Sequence, residues 1–123
     1  MFKILLFVKR KAGLTREEFI DYYENGHVPL VRGKVPPARL YRRNYVMEGA
    51  EVSGIAGASA VALGFDCVSE IGFATRAEAE EHIAAYLDPA NNPEIVADEN
   101  NFIEPGGLTF VLVEPRQTAD YSG

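Results

Sequence analysis

Residues 2–26 read FKILLFVKRKAGLTREEFIDYYENG, and two different periodicities meet inside them. Phe2 to Val8 is apolar at nearly every position and rich in Ile, Leu, Phe and Val, the pattern of a strand covered on both faces. Lys11 to Leu14 is a connector. Thr15 then stands three residues before Glu18, the spacing of a capping box that opens a helix. Phe19, Ile20 and Tyr23 give that helix one buried face. Gly26 is read as its end, at the left-handed position that glycine tolerates best.

The rest of the chain extends this strand–helix start into a fold. Residues 27–38 contain Pro29, Pro36 and Pro37 and read as a loop with room for one helical turn. Leu40 to Met47 mixes large apolar, aromatic and polar groups as a second strand. Gly49 to Ala60 is rich in small residues, a mobile connection or hairpin tip. Asp66 to Ala74 is a third strand. Thr75 and Glu78 repeat the capping box ahead of an alanine-rich helix that runs to Tyr86. Asp88-Pro89 breaks it, and Asn92-Pro93 opens a short helix with proline at its first position. Leu108 to Glu114 is the last strand, and residues 115–123 form a tail.

The order β-α-β-β-α-(short α)-β is that of an α+β, ferredoxin-like split βαβ protomer with an antiparallel sheet, in a single domain over residues 1–123. Helices cover one face of such a sheet. The first strand is apolar on both sides, and the chain supplies no third layer. A second copy is the economical cover, so a homodimer closing into a dimeric α/β barrel is expected.

The bulk composition narrows function. The chain has 123 residues, 47% hydrophobic and 24% charged, as a globular domain with a real core requires. Its net charge of -6 disfavours nucleic acid and anionic membrane as partners. One cysteine, Cys67, permits no internal disulfide and suits a reducing cytoplasm. In MFKILLFVKRK the basic residues follow the apolar run, the reverse of a signal peptide. No stretch is long enough to span a bilayer. Two histidines, His27 and His82, without a cysteine partner argue against a metal or haem site. There is no phosphate-binding glycine loop and no Gly-x-Ser-x-Gly elbow. The expected site therefore uses no cofactor.

His27 is the leading candidate for chemistry. An imidazole titrates near neutral pH and moves protons readily. His27 follows Tyr23 by four residues and Phe19 by eight, so all three share one helical face if the helix persists. The alternative reading is a histidine bonding free carbonyls at a helix C-terminus. Tyr23, on the Phe19 face, and its neighbour Tyr22 offer phenols to a carbonyl or oxyanion, or are aromatic core. Strand alternation places Glu70 with Val68 and Gly72 on the face away from the helices, either lining a barrel interior or paired with Arg42 or Arg43. Asn44 would orient a carbonyl, and Arg42 would hold a substrate carboxylate, or else is solvated or paired with a carboxylate side chain. Asp98 is assigned to bonding the loop after Gly26, and His82, among glutamates, to solvent. Cys67 is read as buried and inert.

Three segments also resemble a known family. KILLFVKRKAGLTREEFIDYYENGHVPLVR resembles the opening of the EthD-like family, with its apolar strand, Leu-Thr helix start and His-x-Pro-Leu. FDCVSEIGF resembles its third strand, and ADENNFIEPGGLTFVLVE its Asp-Glu-x-x-Phe approach to the last strand. The resemblance covers roughly residues 2–114. It implies a dimeric α/β barrel and carries weight for His27. The family often has Trp where this chain has Tyr23, so substrate identity does not carry over. Founding members are associated with bacterial ether degradation beside an oxygenase, and fungal relatives with aromatic polyketides. What this implies is a cofactor-independent enzyme acting on a small apolar oxygenated compound by proton transfer, through decarboxylation, dehydration, cyclisation or oxidation. The alternative is a non-catalytic binding or accessory protein for an oxygenase-linked pathway.

Overall fold

The computed structural model describes residues 1–47 and 64–118. Strand β1 (Phe2–Arg10) lies at the centre of a four-stranded antiparallel sheet. It pairs with β3 (Cys67–Phe73) on one side and β4 (Ile103–Val113) on the other. Strand β2 (Leu40–Tyr45) adds to the far side of β3, giving the order β2-β3-β1-β4 of a ferredoxin-like protomer. The apolar pattern of β1 thus marked a central strand. Strand β4 starts at Ile103, earlier than expected, because Gly106 adopts a positive φ of 73° that lets the chain bend while pairing continues. The small-residue connection at 49–60 lies outside the described residues.

Register assigns the two faces of the sheet. Ile4, Leu6 and Val8 stand opposite Ile71, Ser69 and Cys67 and point toward the helices. Val8, Cys67 and Ser69 are fully buried there, with Phe19, Phe73 and Phe102 at 1% exposure or less. The other face carries Lys3, Leu5 and Phe7 of β1, Val68 and Glu70 of β3, and Arg42 and Asn44 of β2. No helix of the described residues covers it. The edge strand β4 leaves Phe110, Val111 and Leu112 exposed.

Helix α1 (Arg16–Tyr22) opens on the expected capping box, with both reciprocal bonds present between Thr15 and Glu18. Its end differs from expectation. Gly26 is not a stop: the chain passes through it as a π-helical turn, Tyr23–His27, and continues as α2, Val28–Arg32. The physical reason is Pro29. Proline has no N–H for the carbonyl four residues back, and its ring needs space there. A widened turn just before it relieves the conflict, and Val28 N–H bonds Tyr23 O five residues back. Gly26 has a negative φ, and a Cβ there would meet the Tyr22 ring at 3.4 Å. That is ordinary van der Waals contact, so the turn does not depend on glycine at this position.

Helix α3 (Arg76–Leu87) is capped by Thr75, which accepts from Glu78 N–H. The reciprocal half of that box is replaced, because the Glu78 carboxylate accepts from Ala74 N–H and pairs with Arg39. Helix α4 (Asn92–Glu99) follows, with Pro93 one position further in than expected because Asn91 is the N-cap. No helix among the described residues is long and apolar enough to cross a membrane.

Candidate functional site

The π-turn sets the geometry around His27. Where hydrogen bonds run five residues back, side chains five apart come into line along the axis. Tyr22 and His27 are five apart, and both reach one carboxylate. Tyr22 Oη donates to Asp98 Oδ1 at 2.6 Å, and His27 Nδ1 lies 2.8 Å from Asp98 Oδ2. An ionised carboxylate only accepts, so His27 carries its proton on Nδ1 and its Nε2 keeps a lone pair. Asn101 Nδ2 donates to Tyr22 Oη at 2.8 Å and completes the cluster. The Phe102 ring lies 4.9 Å from the imidazole and stacks on Tyr22 at 5.3 Å.

His27 is 6% exposed, so this is not a helix-end histidine in solvent. Burial lowers its pKa from 6.5, and the bond to Asp98 opposes that shift without reversing it. The ring is therefore neutral at pH 7. It lines a small recess of about 40 Å³ between sheet and helices, walled on the sheet side by Leu6, Val8 and Ile103. Val31, Tyr41, Ile71 and His82 also line a wider trough of about 470 Å³ that reaches Arg32 and the proline segment 36–37.

The structure divides the residues that the sequence nominated. His27 and Tyr23 share the inner recess. Tyr23 is 2% exposed, and its hydroxyl sits 2.7 Å from Ser69 Oγ. Burial raises its pKa well above the usual phenol value. Tyr22 stands behind the imidazole and bonds its carboxylate partner. Asn44, Glu70 and Arg42 do not join them, because alternation puts them on the other face of the sheet. There Lys3 Nζ donates to Glu70 at 3.1 Å, Asn44 Nδ2 donates to Glu70 at 3.0 Å, and Arg42 lies 3.8 Å away. These partners hold the Glu70 carboxyl below its usual pKa, Asn44 foremost.

Four lining residues escaped the sequence reading. Tyr41 comes from β2, Tyr86 and His82 from α3, and Glu99 from α4. His82 does not face water as expected. It is 7% exposed, edge-on to Phe73 at 5.1 Å, with Nδ1 3.1 Å from the Pro36 carbonyl. Its glutamate neighbours misled, since adjacent helical residues point in different directions. The spacing His82-x-x-x-Tyr86 was the available signal for a shared inward face. Tyr86 Oη donates to both Glu99 oxygens, at 2.8 and 2.7 Å. Burial raises the Glu99 pKa, against the lowering effect of the Tyr86 bond. Behind the recess, Arg43 grips Glu24 in the π-turn with two bonds of 2.8 and 2.6 Å and lies over the Tyr41 ring at 4.7 Å. This bidentate clamp fixes the π-turn to β2. Cys67 is fully buried, and burial pushes its thiol up to about 11, as an inert cysteine requires.

The family model for the EthD domain matches residues 11–106, a span that holds every residue of the His27 cluster. The chain belongs to the EthD domain family. Solved structures share its fold. An EthD family protein from Bacillus halodurans C-125 superposes with a TM-score of 0.62 at 17% identity, over 94% of this chain and 99% of that one. The Arabidopsis thaliana protein At3g17210 gives 0.62 at 16% identity, over 97% and 99%. HapK from Hahella chejuensis gives 0.61 at 12% identity, over the full length of both chains. At such identities the likeness carries the EthD fold and not the chemistry. No curated protein matches the sequence.

Proposed function

We propose that this EthD-family protein binds a small apolar oxygenated compound between sheet and helices and transfers a proton on it through His27. The observation that carries this reading is the Asp98–His27 pair: one ring nitrogen is fixed at 2.8 Å by a carboxylate while the ring borders an apolar recess. A neutral imidazole so oriented is a general base at pH 7. It takes a proton from a carbon next to a carbonyl or from a hydroxyl, and returns it to the product. Asp98 holds the tautomer and stabilises the imidazolium that forms. Decarboxylation, dehydration, cyclisation and oxidation of activated aromatic or polyketide-like compounds all contain such a step.

The site works, in this reading, within a homodimer. Leu5, Phe7, Val68 and Val111 make the uncovered sheet face apolar around the Lys3–Glu70 pair, and a second sheet laid on it removes that surface from water. Asn44, Glu70 and Arg42 then belong to the interface between sheets.

The test is loss of deuterium from C2 of labelled 1,3-dihydroxynaphthalene, a small flat aromatic whose ring carbon exchanges once a hydroxyl proton is removed, followed by proton NMR. The wild-type protein is expected to accelerate exchange, and His27→Ala to lower the rate by about 100-fold or more with its circular dichroism unchanged. An unaltered rate in a folded His27→Ala protein removes the catalytic role. Dihydroxynaphthalene binding without acceleration in wild type supports the accessory, binding-only alternative.

A further inference from the structure

The polar atoms that His27, His82, Tyr86 and Glu99 bring to the helix side of the inner recess share one hydrogen-bonding character. His27 Nδ1–H is committed to Asp98, and His82 Nδ1, beside a carbonyl that only accepts, must also carry its proton. Each ring therefore turns a lone pair on Nε2 to its other side. Among the described residues no sealed side-chain nitrogen or oxygen lacks a partner, and neither Nε2 has one, so each reaches open space. Tyr86 directs its proton at the Glu99 carboxylate and leaves only oxygen lone pairs. The Tyr23 hydroxyl is paired with Ser69 Oγ at 2.7 Å. The rest of the recess is aliphatic: Leu6, Val8 and Leu108 among others.

We infer that the recess of about 40 Å³, together with the trough of about 470 Å³ that shares His82 with it, selects ligands that donate hydrogen bonds at two points, phenolic or enolic hydroxyls on a flat apolar frame, with His82 and Tyr86 receiving one and His27 the other. The inference rests on the recess being the ligand site proposed above, and it adds His82 and Tyr86 as specificity-determining residues. A ligand with two acceptors would set lone pair against lone pair in an apolar enclosure and leave buried groups unpaired, a cost that water outside does not impose. A diol meets each acceptor with a donor. The donor on His27 is also the proton that a general base removes first: the O–H bond breaks, the Nε2–H bond forms, and the electron pair stays on oxygen.

The experiment is a titration of the intact wild-type protein with resorcinol and with 1,3-dicyanobenzene, read by nitrogen-15 NMR of the two imidazoles. Both probes are small flat rings of comparable hydrophobicity; the first donates at two positions and the second only accepts. Resorcinol is expected to bind at least about tenfold more tightly, as a site built for hydroxyls discriminates, and to shift Nε2 of both His27 and His82. His82→Phe, which keeps a ring against Phe73, should weaken resorcinol several-fold and leave 1,3-dicyanobenzene unchanged. Equal affinities with imidazole shifts overturn the donor selectivity while leaving the recess as a ligand site. Binding of neither probe removes both readings. A resorcinol shift confined to His27 overturns the two-point contact, and that outcome is read on wild-type protein whether or not the variant folds.

Discussion

At the scale of single residues, the two histidines and the glutamate that line the recess are held off their ordinary pKa values, and their signs differ. His27 and His82 are both lowered by burial. Folding then releases protons between those depressed values and 6.5, so their neutral burial is tolerated above pH 6.5 and costs stability as pH falls below it. Glu99 is raised by burial, so it destabilises the fold above its raised pKa and stops doing so as pH falls toward 4.5. Glu99→Gln keeps an acceptor for Tyr86 and removes the buried charge. It should raise the melting temperature at pH 7, with the gain shrinking toward zero near pH 4. A lower melting temperature at pH 7 would mean that Tyr86 needs both oxygens. Of these groups the sequence named only His27, through its place four residues after Tyr23. The inward turn of His82 and Glu99 depends on the helix-to-sheet docking angle, which no local pattern of charges reports.

At the scale of elements, the π-turn is the unusual feature. The sequence showed a glycine followed by proline three residues later, which is the grammar of a helix stop. Here the same pair sits in a widened turn instead, because Pro29 removes one bond and Gly26 keeps a negative φ that continues the chain. The turn lets Tyr22 and His27 converge on Asp98, which an unbroken α-helix would place around different sides. Gly26→Ala separates the two descriptions. With negative φ and a Cβ contact of 3.4 Å, the change should be neutral or stabilise by up to about 1 kcal/mol in urea unfolding. A left-handed cap would instead lose more than that. The strands and both capping threonines were readable directly, since β1 is a short, nearly continuous apolar run and α1 follows a period of 3.6. The length of β4 was not, because Pro105-Gly106-Gly107 looks like a turn and is carried inside a strand.

At the scale of the molecule, strand order and sheet faces followed from the sequence once the order of elements was assigned. Alternation in the sequence already set Glu70 on the face away from the helices, and the register adds Arg42 and Asn44 beside it, across the sheet from His27. What the sequence did not give was which inward residues of α3 and α4 share the recess with His27. The Glu70 cluster and the apolar residues around it make the assembly testable. Light scattering at micromolar concentration should give twice the 13.5 kDa protomer mass. Val111→Arg, on the open face of the edge strand, should shift the protein toward monomer. A wild-type monomer under these conditions would refute the dimer.

The central claim is that His27 is a neutral base whose Nδ1 belongs to Asp98 and whose Nε2 is open to the recess. Nitrogen-15 NMR of the imidazole across a pH titration tests this most directly. The expected result is a pKa below 6.5, with the proton on Nδ1 and a bare Nε2 at pH 7. A His27 pKa above 6.5, or a neutral ring protonated on Nε2, would contradict it.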